Sequence, residues 1–262
     1  ADDAASLAAA VRGADVVLNC VGPFYRFGPP ILSAAIAAGA DYVDVCDDLD
    51  ATVAMLGLDA AARSAGVRAL VGMGNSPGLA NVLVRFCSDH LLDRVESADI
   101  MHVHGGEPDE GPGVLKHRIH AMTSDVPLFL DGEFITVRML EPSGRAHAQE
   151  TEFPDVGTCT VHPYPHPETV TLPRHIPGLR RATNLGAVVP AEYFALTMEA
   201  VRMGICADEP IDVGGVPVAP IDFTVAYLRA RRPGLLAAAG LTAPRGCLKV
   251  EVSGEKDGEP HQ

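Results

Sequence analysis

The sequence predicts an α/β protein in which a parallel sheet is followed by a second domain of the α+β class. In the first 75 residues, short apolar runs expected as strands over 16–21, 41–46 and 67–72 alternate with helical patterns. This spacing is typical of βαβ crossovers, so the three strands should run parallel, with their carboxyl ends at one edge. After Gly74 the strand candidates cluster with interspersed helices, which is typical of an α+β domain.

Length and composition limit the classes of function. The chain of 262 residues has room for one large domain or two ordinary ones. Its net charge of -14 opposes binding to nucleic acid and to anionic membranes, but not to a small anionic cofactor. No apolar run reaches the ~20 residues of a membrane span, and no signal-peptide pattern is visible. Six scattered cysteines without C-x-x-C spacing indicate free thiols in a reducing cytoplasm.

The first strand leads into a turn that can approach a ligand. A β-branched apolar run over 16–18 is followed by Gly22-Pro23 and then by a helical pattern over 29–38. In an open parallel sheet, ligands bind in the loops at the carboxyl ends of the strands. Gly22 permits close approach of the backbone, and Pro23 fixes the turn. On the pattern alone, an ordinary strand-to-helix connection without a ligand is an equal alternative.

The remaining elements follow from periodicity and from turn signals. In the first domain we expect further helices over 3–12 and 50–65. In the second domain we expect helices over 77–92, 111–123, 190–203 and 223–231, a hairpin over 129–134, and strands over 94–104, 137–140, 158–161, 170–172, 181–185 and 248–252.

Three carboxylates lie at the end of the second strand. Asp44 alternates with valines, so its side chain can cap a backbone group, and Asp47 and Asp48 come directly after Cys46. Together these carboxylates could bind a cationic substrate, or they could form a solvated turn. The sequence leaves both interpretations open.

The third strand leads into Asn75-Ser-Pro-Gly78, the start of a strongly amphipathic helix. The free N–H groups and the dipole of such a helix favour a negatively charged group, although an ordinary capped helix has the same pattern. Histidines occur in three pairs, His102 with His104, His117 with His120, and His162 with His166. Since neither H-E-x-x-H nor Cys/His spacing is present, we expect substrate contacts or surface positions for these histidines and no metal site.

Four stretches resemble one family. They are Asn19-Cys-Val-Gly-Pro-Phe-Tyr25, Ala34-Ala-Ile-Ala-Ala-Gly-Ala-Asp-Tyr-Val-Asp-Val-Cys-Asp47, Gly72-Met-Gly-Asn-Ser-Pro-Gly-Leu-Ala-Asn81 and His166-Pro-Glu-Thr-Val-Thr-Leu-Pro-Arg174. The chain is similar in these stretches to the saccharopine dehydrogenase (saccharopine reductase-like) family.

The resemblance implies a particular domain organisation. Residues 1–74 would be the second half of a doubly wound Rossmann domain, and residues 75–262 an α+β catalytic domain. Because no G-x-G-x-x-G precedes the first strand, the half that carries the pyrophosphate loop would lie before Ala1. Both ends of the chain would then be cuts through a longer protein. On this expectation the 262-residue chain alone binds dinucleotide weakly and is inactive.

The resemblance also implies the residues of the site. Those expected at the nicotinamide half of the cofactor are Asn19, Val21, Gly22, Pro23, Phe24 and Asp47. Those expected at the substrate are Ser76, Pro77, Gly78 and Arg174, the last as a partner for a carboxylate. Ser76 replaces the Asp of the family's Asp-Pro-Gly helix start, which leaves the substrate open. No catalytic acid or base is identified.

The function implied is oxidoreduction with NADP or NAD, in which hydride is transferred at a C–N bond of an amino-acid-derived small molecule. We also expect a cytoplasmic protein that forms a homodimer and has no nucleic-acid or membrane partner. A non-catalytic Rossmann-fold scaffold or sensor is the alternative, since fold does not fix function. A metal-dependent hydrolase that uses the histidine pairs is a further, weaker alternative.

Overall fold

The structure, a computed structural model, describes residues 3–262 and contains a small parallel sheet and a larger mixed sheet. The first part comprises α1 (Ala4–Val11), β1 (Val16–Asn19), α2 (Phe24–Ala38), β2 (Asp41–Asp44), α3 (Leu49–Leu56), α4 (Asp59–Ala65) and β3 (Ala69–Leu70). The second part comprises α5 (Leu79–Phe86), β4 (Arg94–Gly105), α6 (Pro112–Thr123), β5 (Val126–Leu130), β6 (Glu133–Val137), α7 (Pro142–Arg145), β7 (Gln149–Phe153), β8 (Gly157–Pro163), α8 (Glu168–His175), β9 (Arg181–Val189), α9 (Ala191–Arg202), β10 (Ile211–Val213), β11 (Val216–Val218), α10 (Pro220–Ala238), β12 (Arg245–Lys256) and β13 (Glu259–His261).

The three strands of the small sheet are parallel, as the sequence predicts. β1 pairs with β2, and β2 pairs with β3, in the order β1-β2-β3. Leu32 of α2, Tyr42 of β2 and Met55 of α3 belong to one buried apolar cluster, which attaches the helices to the sheet. Because the strands are parallel, the loops that follow them leave from the same edge.

A buried carboxylate organises this edge of the small sheet. Asp44 accepts hydrogen bonds from the backbone N–H groups of Cys46 (3.0 Å) and Gly72 (2.7 Å), and from the Tyr42 hydroxyl (2.8 Å). The expected capping role of Asp44 is thereby confirmed. Since its two backbone donors lie in the loops after β2 and β3, Asp44 fixes these loops relative to each other.

The larger sheet has the strand order β13-β12-β4-β9-β5-β6, with β8 pairing to β9 and to β7. β4 and β9 are parallel neighbours, while β12 is antiparallel to β4. Leu115 of α6, Tyr193 of α9 and Leu228 of α10 share one apolar cluster. A second cluster joins α5 and α8 to the sheet through Val84 and Leu172. This mixed sheet with packed helices confirms the predicted fold class.

One predicted strand is wrong. Residues 170–172 are rich in β-branched side chains, yet they lie within helix α8. The hydroxyl groups of Thr169 and Thr171 donate to the carbonyl groups of His166 and Pro167, at 2.9 and 3.0 Å, and so support the helix start. Leu172 is buried in an apolar cluster. Tertiary burial therefore overrides strand propensity here.

Several boundaries also differ from those predicted. The helix expected over 50–65 is divided at Gly57 into α3 and α4, and Met55 and Leu58 on either side of the break both pack in the apolar cluster of the small sheet. The helix expected to end at Pro233-Gly234 continues to Ala238, since buried Leu236 packs in that last segment. Strands β7, β10, β11 and β13, and the short helix α7, were not predicted. Of the strand expected over 137–140, only the first residue lies in a strand.

The helix expected from residue 29 begins earlier, at Phe24. Asp48 explains this start, because its carboxylate accepts a hydrogen bond from the Tyr25 backbone N–H at 2.9 Å. A carboxylate at a helix N-terminus satisfies a free donor and interacts favourably with the helix dipole. The contact also ties the loop after β1 to the loop after β2.

Within residues 3–262, no helix is both long enough and apolar enough to span a membrane. All six cysteines are free thiols, as expected from their spacing.

Candidate active site

Two loops of the small sheet line a cavity of about 340 Å³. Gly22 and Pro23 come from the loop after β1, Phe24 is the first residue of α2, and Asp47 comes from the loop after β2. A Cβ atom built on Gly22 would meet no atom within 4 Å, so the backbone here is open to the cavity. Such a bare backbone segment allows a flat ring to approach closely.

A second cavity of about 480 Å³ lies between the loops of the small sheet and the larger sheet. Most of the polar side chains that line this cavity come from the second part of the chain. They are those of His102, His104, His117, Arg118, Tyr164 and His166. Asp47 and Ser76 line it from the loops after β2 and β3. Asp47, His117 and Val114 line both cavities, so the two adjoin.

His117 stands at the junction of the two cavities, between two carboxylates. Its Nδ1 is 2.6 Å from Asp48 Oδ1, and its Nε2 is 3.4 Å from Asp47 Oδ2. Burial lowers the pKa of His117, but the negative charges of Asp47 and Asp48 outweigh this effect, so the pKa is raised. Burial also raises the pKa of Asp47, an effect that the charge of His117 opposes.

Ser76 is the centre of a buried polar network behind the larger cavity. Its hydroxyl donates to Glu168 Oε1, accepts from Asn184 Nδ2 at 3.1 Å, and lies 3.2 Å from His166 Nδ1. Glu168 is fully buried, and this burial raises the pKa of its carboxyl to about 7. The network holds the Ser76 hydroxyl and the His166 ring in fixed positions.

The other histidines of the larger cavity are neutral at pH 7. Burial lowers the pKa of His102 to about 4 and that of His104 to about 3. Burial, together with the neighbouring histidines, places the pKa of His166 well below its usual value. The rings of His102 and His166 are stacked with centroids 5.0 Å apart. The cavity therefore offers neutral imidazole nitrogens as donors and acceptors.

Arg118 is a buried cation whose charge is balanced behind the cavity wall. Its guanidinium makes two hydrogen bonds to the carboxylate of Glu110, which also accepts from Arg232 (3.2 Å) and Tyr193 (3.1 Å). Arg118 and Arg232 are each 1% exposed. This network anchors α6, the helix that carries His117, against α9 and α10.

Some predicted site residues lie elsewhere. Arg174 is exposed on α8 and lines neither cavity, so the structure does not place it with the others. Asn19 is buried and supports the loop after β1, since its side chain donates to the Tyr42 hydroxyl and accepts from the Val21 N–H. Val21 is 43% exposed and lines neither cavity.

Pro77 and Gly78 lie beside Ser76 but do not line either cavity. A Cβ atom on Gly72 would be 2.8 Å from the Pro77 ring, which shows how closely this loop folds on itself. These residues therefore shape the loop, while Ser76 reaches the larger cavity.

The sequence analysis names His117 in a histidine pair and Glu168 in the fourth stretch of resemblance, but it assigns neither of them, nor Arg118, to the site. The alternation of His102 and His104 on one strand face was a usable signal, and the structure places both side chains in the larger cavity. No local periodicity indicates the roles of Glu168 and Arg118 in the site, because the partners that place them there lie on other elements.

One further property of the site is its capacity for a metal ion. Asp47, His117 and His166 each present a potential ligand atom, and these atoms lie within 4.8 Å of one another. A second group of this kind consists of Asp48, Asp50 and His120.

The parallel sheet with its converging loops and the mixed sheet beside it define a Rossmann-like fold followed by a part of the α+β class. Residues 1–70 match the family described as the saccharopine dehydrogenase NADP binding domain. The resemblance to the saccharopine dehydrogenase family, stated above from four stretches of sequence, is thus confirmed.

Relatives and a solved structure extend the similarity beyond the first 70 residues. Carboxynorspermidine synthase of Vibrio alginolyticus is 26% identical over 99% of this chain and 63% of its own length. Carboxyaminopropylagmatine dehydrogenase of Synechocystis sp. is 25% identical over 94% of this chain and 61% of its own length. The chain therefore spans less than two thirds of the length of these two curated relatives.

The solved structure is apo saccharopine dehydrogenase (L-Glu forming) from Saccharomyces cerevisiae. It aligns with a TM-score of 0.60 and 15% identity, covering 99% of this chain and 71% of the yeast chain. At this identity the likeness shows a shared fold.

Proposed function

We propose that the protein is an NADP- or NAD-dependent oxidoreductase that transfers hydride at a C–N bond of a small amino-acid- or polyamine-derived substrate. The observation that carries this proposal is the pair of adjoining cavities. One lies at the carboxyl ends of the parallel strands, the other reaches the larger sheet, and Asp47 and His117 line both. A ring held in the first cavity would face a substrate held in the second.

The residues present fit a nicotinamide ring in the smaller cavity. The backbone at Gly22 leaves space that a Cβ atom would enter, and Pro23 and Phe24 add an apolar wall. A bound nicotinamide supplies the hydride chemistry, and the protein supplies binding and orientation. The family that matches residues 1–70 is described as NADP binding, which supports the choice of cofactor.

The residues of the larger cavity fit the substrate. Ser76, fixed by Glu168 and Asn184, would hold a polar group of the substrate, and the neutral rings of His102 and His104 would add hydrogen-bonding partners. The names of both curated relatives refer to carboxylated polyamines, which supports a substrate of this class. The domain division near Gly74, which we retain as a proposal, would place each cavity mainly on one domain.

The experiment is a nicotinamide absorbance assay on the purified natural-length protein, with NADPH or NADH and a panel of amine and carbonyl pairs. We expect turnover with at least one pair. Ser76→Ala should lower kcat/KM by about tenfold or more, because a buried hydrogen-bonding group is lost. Ser64→Ala, an exposed position on α4, is the matched control and should behave as the wild type.

Dinucleotide binding without turnover would instead favour the sensor or scaffold function. If neither dinucleotide binds, the proposal is wrong.

Two finer expectations belong to the proposal. A homodimer would be checked by light scattering on the purified protein, with twice the chain mass expected. A cytoplasmic location is supported by the six free thiols and would be checked by cell fractionation.

A further inference from the structure

Three side chains from three separate segments meet at the wall of the larger cavity. Asp47 follows β2, His117 lies on α6, and His166 precedes α8. Their potential ligand atoms all lie within 4.8 Å of one another, and His117 Nε2 is 3.4 Å from Asp47 Oδ2. In a tetrahedral site with metal–ligand distances of about 2.0–2.2 Å, the ligand atoms lie a little over 3 Å from one another. Small side-chain movements would therefore bring these three atoms to ligand distance from one ion.

Both histidines are held through Nδ1. Asp48 Oδ1 lies 2.6 Å from Nδ1 of His117, and the Ser76 hydroxyl lies 3.2 Å from Nδ1 of His166. In metal sites a ligating histidine almost always bonds through its other nitrogen to a carboxylate or another polar group, which fixes the ring. The same support is present here for both rings, which leaves Nε2 of each as the nitrogen for an ion.

The set of groups selects a class of ion. Two imidazoles and one carboxylate suit divalent transition metals such as Zn²⁺, Fe²⁺ and Co²⁺, whereas Mg²⁺ and Ca²⁺ prefer oxygen ligands throughout. The negative charges of Asp47 and Asp48 would be neutralised by a dication. Three protein ligands beside a cavity of about 480 Å³ leave a coordination position for water or substrate, as in catalytic sites.

We propose that Asp47, His117 and His166 form a binding site for one divalent transition-metal ion. The site goes beyond the proposed function, because hydride transfer does not require it, and its test needs no substrate. The second group, Asp48 with Asp50 and His120, is the weaker candidate. It has a single histidine, and the side chains of Asp50 and His120 are 59% and 31% exposed.

The test measures metal binding directly on untagged protein treated with a chelator. Equilibrium dialysis with Zn²⁺ should give one ion per chain, and Co²⁺ should give visible absorption bands of a site with nitrogen ligands. Asp47→Asn and His166→Gln should each weaken binding by at least tenfold. Asp48→Asn should weaken it by about 10–100-fold, as is typical when the support of a ligating histidine is removed.

Two histidine variants serve as matched controls. His175→Gln, at an exposed position on α8, and His120→Gln, in the second group, should bind Zn²⁺ as the wild type does. Thermal melts show whether each variant is folded. If His166→Gln does not fold, Asp47→Asn decides, because the Asp47 side chain is 38% exposed and its replacement disturbs no core. Wild-type binding of well below one Zn²⁺ ion per chain would overturn the proposal. So would a result in which His120→Gln loses Zn²⁺ binding and Asp47→Asn keeps it.

Discussion

Gly22 is the residue at which cofactor binding can be separated from folding. A Cβ atom there would meet no atom within 4 Å and would enter the smaller cavity. In the natural-length protein, Gly22→Val should therefore weaken NADPH binding by about tenfold or more while the melting temperature changes little. Fluorescence titration and a thermal melt measure the two effects.

Gly22→Ala should give a smaller loss of affinity than Gly22→Val, since fewer atoms enter the cavity. Gly234→Ala is the matched control, because a Cβ atom there also meets no atom within 4 Å and the position lies on α10, away from both cavities. A fall in melting temperature as large as the loss of affinity would mean that Gly22 serves the turn alone.

Glu110 is a buried carboxylate that pairs with two buried arginines, Arg118 and Arg232. Burial raises its pKa, but the hydrogen bonds and charges of Arg118 and Arg232 outweigh this effect, so the pKa lies below its usual value of 4.5. Removing one partner of a buried ion pair costs about 3–5 kcal/mol. We expect Glu110→Gln to lower the free energy of unfolding by about 3 kcal/mol at pH 7.

The pH dependence of this effect has a definite sign. Because the folded-state pKa of Glu110 is depressed, its stabilisation is present above the unfolded-state value and is lost as the pH falls through the folded-state value. The difference between the wild type and Glu110→Gln should therefore shrink below about pH 4 in urea unfolding experiments. Asp109→Asn, an exposed neighbour paired with Arg229, should change stability little at any pH. A difference that stays constant down to pH 3 would contradict the role of the charge.

At the scale of elements, the loop between β3 and α5 depends on Gly78. This residue has φ of +116°, and a Cβ atom on it would lie 2.3 Å from the Gly74 carbonyl oxygen. Gly78→Ala should therefore displace the loop and lower the melting temperature clearly, because both strain and a backbone clash are introduced. Gly66→Ala, at φ of +68° but with nothing within 4 Å, should cost only about 1 kcal/mol. If Gly78→Ala and Gly66→Ala lower the stability equally, the clash between the Gly78 Cβ and the Gly74 carbonyl oxygen is relieved by a small shift of the loop.

At the scale of the whole molecule, the two parts of the chain meet largely through polar and aromatic groups. His117 contacts Asp48, His120 lies 3.1 Å from Asp50, and the rings of Tyr25 and His120 stack at 4.2 Å. Among the described residues, the apolar cluster of the small sheet draws its members from residues 7–71. Interfaces of this kind allow parts of a protein to unfold separately.

We therefore expect the small sheet to lose hydrogen-exchange protection at a lower urea concentration than the larger sheet. It has three strands, and β1 at its edge leaves Val16 and Leu18 more than half exposed. Exchange measured by mass spectrometry over β2, against β4 and β9, tests this. A single transition common to all three strands would show that the parts are strongly coupled.

The sequence by itself determined the parallel β1-β2-β3 sheet, the hairpin of β5 and β6, and the placement of Gly22, Asp47 and Ser76 in loops after successive strands. These features follow from local periodicity and turn chemistry, which act over a few residues. The capping role of Asp44 could be predicted for the same reason, since alternation along a short strand fixes which way a side chain points.

The tertiary structure decided which side chains surround those loops. His117 and Glu168 reach the site because α6 contacts the loop after β2, and because the segment that leads into α8 contacts Ser76 in the loop after β3. Arg118 lies on α6 beside His117. No local pattern reports such long-range packing. The same packing made residues 168–175 helical against their strand propensity, and it left Arg174 on the surface. Burial then lowered the pKa values of His102, His104 and His166 and raised that of Glu168, because desolvation depends on every neighbouring element and not on sequence position.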